Sequence, residues 1–300
     1  MNLMLARRSA AAVRRGLTLM ELVVVMVILI ALAGLVLPLL PSLLTKAHDS
    51  VTTTNISEVG KTIEGFFNAN LAYPDQFDSL VDASGAMYTG LIFNSLNPVS
   101  QNTFTVVGNV ATTTTSSGQP LYTGALSAGQ AQSLYLGGFR NLMVMSTSTT
   151  SPPAFGATFP NPGGAGPYVG MPGTTGAMTP IPTPASGSGG PTVLFADNNY
   201  ISQKLNVFPP ASDPNCNYVV VGLGPYCTLV GARTLGLTDA PLAFGEHNYE
   251  QPLVAYARYL CVFRVYSDGS RCEFVGAAHD DATGLGTFNM HAQEYYETTN

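Results

Sequence analysis

Charge is scarce in this sequence. Only 10% of its 300 residues are charged, with 12 Lys and Arg against 18 Asp and Glu. That balance excludes nucleic acid as a partner, because phosphate binding needs clustered lysine and arginine. Chemistry-bearing residues are equally sparse. The four histidines, His48, His247, His279 and His291, are scattered along the chain, and neither H-E-x-x-H nor C-x-x-C occurs. No serine or cysteine has a recognisable nucleophile context. The chain is therefore not read as an enzyme, and no catalytic or cofactor-binding residue is assigned. Gly222-Leu223-Gly224 follows a strand-like run, but no helix pattern or further glycine completes a dinucleotide fingerprint, so it reads as a turn. A cluster at His279-Asp280-Asp281, with Thr283 and Asp268 as candidate neighbours, has the oxygen donors that suit calcium. A solvated acidic turn is the preferred reading, and no metal ligand is assigned.

The remaining composition is rich in Gly, Pro, Ser and Thr, as in an exported, loop-rich chain. Its organising feature lies near the start. Arg14 and Arg15 lead into Gly16, a single acid follows at Glu21, and Leu22 to Leu37 are sixteen apolar or glycine residues without a break. Apolar residues then continue, around Pro38 and Pro41, to Leu44. A carboxylate at the edge of such a run is costly in lipid, at about 2.5–3.5 kcal/mol for a central position and less near the end. It needs a partner. Cleavage after Gly16 would create one, the new α-amino group of Leu17.

Gly16, Leu17, Thr18, Leu19, Met20 and Glu21, followed by the apolar run and Pro38, resemble the N-terminus of type IV pilins and type II secretion pseudopilins. Leu17 stands where that family usually has phenylalanine. The resemblance implies cleavage after Gly16 by a prepilin peptidase, N-methylation of Leu17, and an inner-membrane protein with its head in the periplasm. It further implies an assembly platform in that membrane and a filament of like subunits in which Glu21 meets a neighbour's N-terminus. Without residues 1–16, which carry four arginines and no acid, the formal charge moves from −6 to −10. The basic leader follows the positive-inside rule. A secretory signal peptide cut after Ala31-Leu32-Ala33, a twin-arginine signal at Arg14-Arg15 and an uncleaved anchor are the competing readings. The competing function is an exported, membrane-anchored binding protein or enzyme that uses this segment only for targeting.

Six segments follow from the pattern: a leader over 1–16, an apolar transmembrane or filament-core helix over 17–45, and its amphipathic continuation over 46–70. An irregular α/β part over 71–145, a loop or linker over 146–192 and a β-rich head over 193–300 complete the chain. The fold class expected is α+β. One long N-terminal helix, apolar in its first half, should pack on a C-terminal antiparallel sheet carrying long Gly/Pro/Ser/Thr-rich loops. Val51, Ile56, Val59, Ile63 and Phe66/Phe67 recur at helical spacing, with Glu58, Lys61 and Glu64 between them. Tyr73-Pro74 should end that helix, and Phe77, Leu80 and Val81 fit a short helix beyond it. Ser127 to Leu136 fits another. Residues 104–107, 142–145, 193–195, 218–221 and 228–230 read as strands. In residues 146–192, thirty-four of forty-seven are Gly, Pro, Ser or Thr, a tract with no core-forming period.

Tyr256 to Tyr266 and Arg271 to Val275 give the strongest hairpin signal, around Asp268-Gly269. With Tyr266 opposite Arg271, Cys272 faces Val265. Cys261 then lies four residues along the strand, roughly 13 Å away, too far for a bridge to Cys272 without a bulge or another register. The four cysteines, Cys216, Cys227, Cys261 and Cys272, allow three pairings. They read as staples in an oxidising compartment, and Cys216 to Cys227 across a short loop is the easiest pair.

The processing site yields the first test. Glycine permits an extended path into a membrane peptidase that a bulky β-branched residue hinders, so Gly16→Val should leave the 300-residue precursor uncleaved. Intact mass of the purified protein reads this directly, and a mature chain starting at Gly34 would instead establish a signal peptide.

Overall fold

The computed structural model describes residues 19–36, 40–88, 91, 105–107, 110–112, 121–145, 174–210, 216–231, 236–241, 256, 258–281, 284–287 and 290. The chain divides into two compact units, Met1–Lys46 and Ala47–Asn300.

Helix α1 spans Leu19–Val36 and helix α2 spans Leu40–Asn70, so the expected single long helix is two. Pro38 lies between them, outside the described residues. Pro41, by contrast, sits in the first turn of α2, where a missing amide breaks no helical bond. Among the described residues no helix is long and apolar enough to cross a membrane. With 18 residues, α1 extends about 27 Å at 1.5 Å per residue, short of the ~30 Å hydrocarbon layer.

In the second unit α2 behaves as its pattern requires. Ile56, Val59 and Ile63 are buried together with Thr52, while Glu58, Lys61 and Glu64 are exposed. Val51 falls outside the buried stripe. The helix ends at Asn70, with Leu71 left-handed at φ 54°, and Tyr73 packs its ring on Phe67 and Phe263.

The sheet that α2 covers is mixed, which corrects the antiparallel expectation. Its strands are β1 (Asp78–Asp82), β4 (Leu121–Ala125), β5 (Asn141–Met145), β6 (Thr174–Pro180), β7 (Thr192–Ala196), β8 (Asn217–Gly222), β9 (Tyr259–Val265), β10 (Cys272–Asp281) and β11 (Gly284–Gly286). The order is β11-β10-β9-β8-β1-β5-β6, and β7 joins β8 and carries β4 on its other side. Strands β1 and β5 run parallel, with Asp78 beside Met143, and the remaining pairs are antiparallel. A separate two-stranded ribbon pairs β2 (Thr105–Val107) with β3 (Val110–Thr112).

Strand β1 replaces the short helix expected around Phe77, Leu80 and Val81. Phe77 joins the core on one face of the sheet, and Leu80 and Val81 join the core on the other. A strand buried on both faces loses the alternation that would have marked it. Its pairing with β5 shifts register between Asp78 and Asp82, and Leu80 there has φ 58°. Residues 228–230 are not a strand either. Thr228 is tied to Asp75 by reciprocal bonds of 2.8 and 2.9 Å, and the Asp75 carboxylate accepts the amides of Arg140 and Asn141 at 2.8 and 2.9 Å. Asp75 thus fixes the start of β5 against the exit from α2. The tract expected to be a linker contributes β6, a 3₁₀ turn at Pro184–Ser186 and the buried Ile181. Residues 146–173 of that tract lie outside the described residues.

Two local expectations hold closely. Helix α3 (Ala128–Gly137) starts at a capping box in which Ser127 and Gln130 bond reciprocally. The Gln130 Nε2 also donates to the Asn217 side-chain oxygen Oδ1 at 2.8 Å, tying the cap to β8. The hairpin forms with Cys272 opposite Val265 and a bulge between Phe274 and Gly276, so Cys261 faces Ala277. The strands at 142–145, 193–195 and 218–221 are present as parts of β5, β7 and β8.

Gly129 in α3 lies against the Ser267 carbonyl at the hairpin turn, leaving no room for a Cβ. Alanine is intrinsically the better helix residue by about 1 kcal/mol, yet a backbone overlap costs about 1–3 kcal/mol. Gly129→Ala should therefore destabilise the folded head, which a lowered urea midpoint in detergent would show.

Candidate functional site

Glu21 lies in the first turn of α1 and is the only ionisable residue of that helix. A carboxylate there is favoured by the unsatisfied amides of the helix start, by roughly 0.3–1 kcal/mol. Around it the surface is apolar on every side. The large side chains from Leu19 to Leu32 are between 48% and 82% exposed. Gly16 and Leu17, the processing residues, lie outside the described residues, so the structure places Glu21 alone of the three.

The cysteine expectation changes more. All four are buried, and Cys227, Cys261 and Cys272 are thiols without a disulfide partner. Strand β8, six residues long, separates Cys216 at its start from Cys227 beyond its end, roughly 17 Å of chain at ~3.3 Å per residue. The short loop imagined between them is a strand. Burial pushes the Cys227, Cys261 and Cys272 thiols up from their ordinary value.

The acidic turn is overturned too. His279, Asp280 and Asp281 belong to β10 and pair with β11, and His279 and Asp280 are fully buried. Gly286 opposite gives the His279 ring its space, since a Cβ there would overlap the imidazole. Asp268 sits at the exposed hairpin turn, beyond the opposite end of the ten-residue β10. Thr283 lies outside the described residues. Among the described residues no group of three His, Cys, Asp or Glu side chains is placed to hold a metal.

A cavity of about 260 Å³ opens beside β1, lined by Ser79, Asp82, Ser84, Thr179 and Thr192 among others. Its carboxylate already serves the following turn, accepting the Ser84 amide and hydroxyl and the Ala86 amide at 2.6 to 3.0 Å.

One polar cluster escaped the sequence reading. Asp78 is fully buried, and its Oδ2 accepts the Tyr256 hydroxyl at 2.8 Å. Burial pushes its carboxyl up to about 7, opposed by the tyrosine bond and by the charge of Arg258. Burial also raises Tyr256, so it stays the donor. Gly222 and Gly224 make this approach possible, because a Cβ on either would overlap Tyr256 or the carboxylate. The Gly-Leu-Gly run that reads as a turn is the seat of a buried acid. Its only signal in sequence is an aspartate among Phe77, Leu80 and Val81, which hydropathy assigns to a solvent face.

No family model, curated protein or solved structure matches this chain.

The thiols supply a test of the cysteine geometry. Cys227, Cys261 and Cys272 should resist iodoacetamide in the folded protein and alkylate once it is unfolded in guanidinium. Recovery of a Cys216–Cys227 cross-linked peptide from the native protein would contradict the placement of β8 between them.

Proposed function

We propose that this chain is a prepilin-like structural subunit of a type II secretion pseudopilus or a type IV pilus-like filament. A prepilin peptidase cuts it after Gly16, the apolar segment holds it in the inner membrane with the head in the periplasm, and an inner-membrane platform feeds it into the filament. The observation that carries this reading is the surface of α1. A helix apolar all round is stable only where something covers it, in lipid or among like helices. Side chains of this size gain about 1.5–3 kcal/mol each on full burial. Even half of that over the exposed run from Leu19 to Leu32 is on the order of 10 kcal/mol, more than the ~3 kcal/mol that one carboxylate costs. The apolar run of the sequence goes on to Leu44, past the end of α1.

Glu21 then supplies alignment rather than attraction. Its charge is tolerated cheaply only when subunits are staggered so that the Leu17 ammonium of one reaches the carboxylate of the next, much as a buried polar group can specify register at some cost in stability.

Glu21→Ala should leave export, cleavage and the folded head unchanged while filament yield falls roughly tenfold or more, the factor that 1.4 kcal/mol represents. Glu21→Asp should retain part of the yield. Shear fractionation beside a processing blot reads both. Normal filaments from Glu21→Ala would leave an anchored exported head with no assembly role for this acid.

A further inference from the structure

Asp78 stands where the sheet branches. Its backbone lies between Met143 of β5 and Gly222 of β8. Its Oδ2 is bonded to Tyr256, while Oδ1 has no hydrogen-bonding partner among the described residues. An ionised carboxylate buried with one donor is costly, whereas a protonated one is neutral and leaves less unsatisfied. The surroundings offer little else to an anion. Gly222 and Gly224 close one side and carry no side chain. Of the titratable groups facing the pair among the described residues, Cys227 and Cys261 are buried thiols, and Arg258 is the one cation. Arg258 makes no ion pair with Asp78. Its Nη1 donates to the Ala240 carbonyl at 3.2 Å and its Nε has no acceptor among the described residues.

We propose that Asp78 is a proton-operated latch of the head. Protonated, it rests on the Gly222–Gly224 turn under the Tyr256 hydroxyl and leaves Arg258 on Ala240. Loss of the proton creates a buried anion that draws the Arg258 guanidinium away from the Ala240 carbonyl and loosens the segment 236–241 that it holds. This inference concerns the head alone and does not depend on filament assembly.

The direction of the pH effect follows. The folded carboxyl is raised from its ordinary 3.8 to about 7, so the folded state holds its proton more tightly than the unfolded chain. The stabilisation is complete below the unfolded value and is lost as pH rises through the folded one. The head is tighter in mildly acidic than in mildly alkaline medium.

The test uses the full chain in detergent micelles. Infrared difference spectra between pH 6 and 8 should show a protonated-carboxyl band lost with a midpoint near 7, and comparison with the Asp78→Asn variant assigns the band to its carboxyl. Asp78→Asn should abolish that band. Tyr256→Phe removes a donor that favours the anion and should move the midpoint upward. Absence of a carboxyl transition in the wild-type protein between pH 6 and 8, or its persistence in Asp78→Asn, overturns the proposal. Should Asp78→Asn fail to fold, the Tyr256→Phe midpoint decides: an upward shift supports the latch, and an unchanged midpoint overturns it.

Discussion

Everything in the head depends on β8 being covered on both faces and used along both edges. Tyr218 and Val220 face one core, Val219 and Val221 the other, and all four are fully or almost fully buried. One edge pairs with β9 along its whole length. The other is shared, with β7 taking residues 218–220 and β1 meeting Gly222. Burial of such a strand removes several large apolar side chains from water at about 1.5–3 kcal/mol each. Its backbone groups must then find partners within the protein, so the neighbouring strands have little freedom in where they lie.

The shared edge explains features that look unrelated in the chain. A sheet that branches at Gly222 brings β1 close to the end of β8, and the two glycines that keep this approach open also admit a carboxylate and a tyrosine hydroxyl. Asp75, three residues before β1, receives the amides that open β5 and so sets β5 parallel to β1. On one face α2 and α3 cover the sheet through Ile56, Val59, Ile63, Ala131 and Leu134. On the other, Ile201 from the short helix Asn198–Leu205 contributes to the second core. The Tyr259 ring, deep in the first core, faces Asn55 and Thr52 of α2.

Helix α1 obeys a different constraint. The head hides its apolar residues by pairing and packing, whereas α1 keeps large apolar side chains in view on all sides. A single acid at its first turn is the one interruption.

Local signals were legible in the sequence because their physics is local. The short helix from Ser127 to Leu136, the α2 stripe and the Cys272 to Val265 register depend on spacing and turn chemistry within a few residues. The apolar character of α1 and its lone Glu21 needed only hydropathy. Tertiary structure decided the rest. Strand β1 reads as helix because a strand buried on both faces has no alternation, and its direction beside β5 is set by partners far away in sequence. The Gly/Pro/Ser/Thr tract yields β6 because an edge strand requires backbone pairing more than apolar side chains. Asp78, His279 and Asp280 look solvated by residue type, yet lie inside because the strands that carry them are covered. Burial of a polar side chain belongs to the neighbours that surround it, and no spacing within the chain announces them.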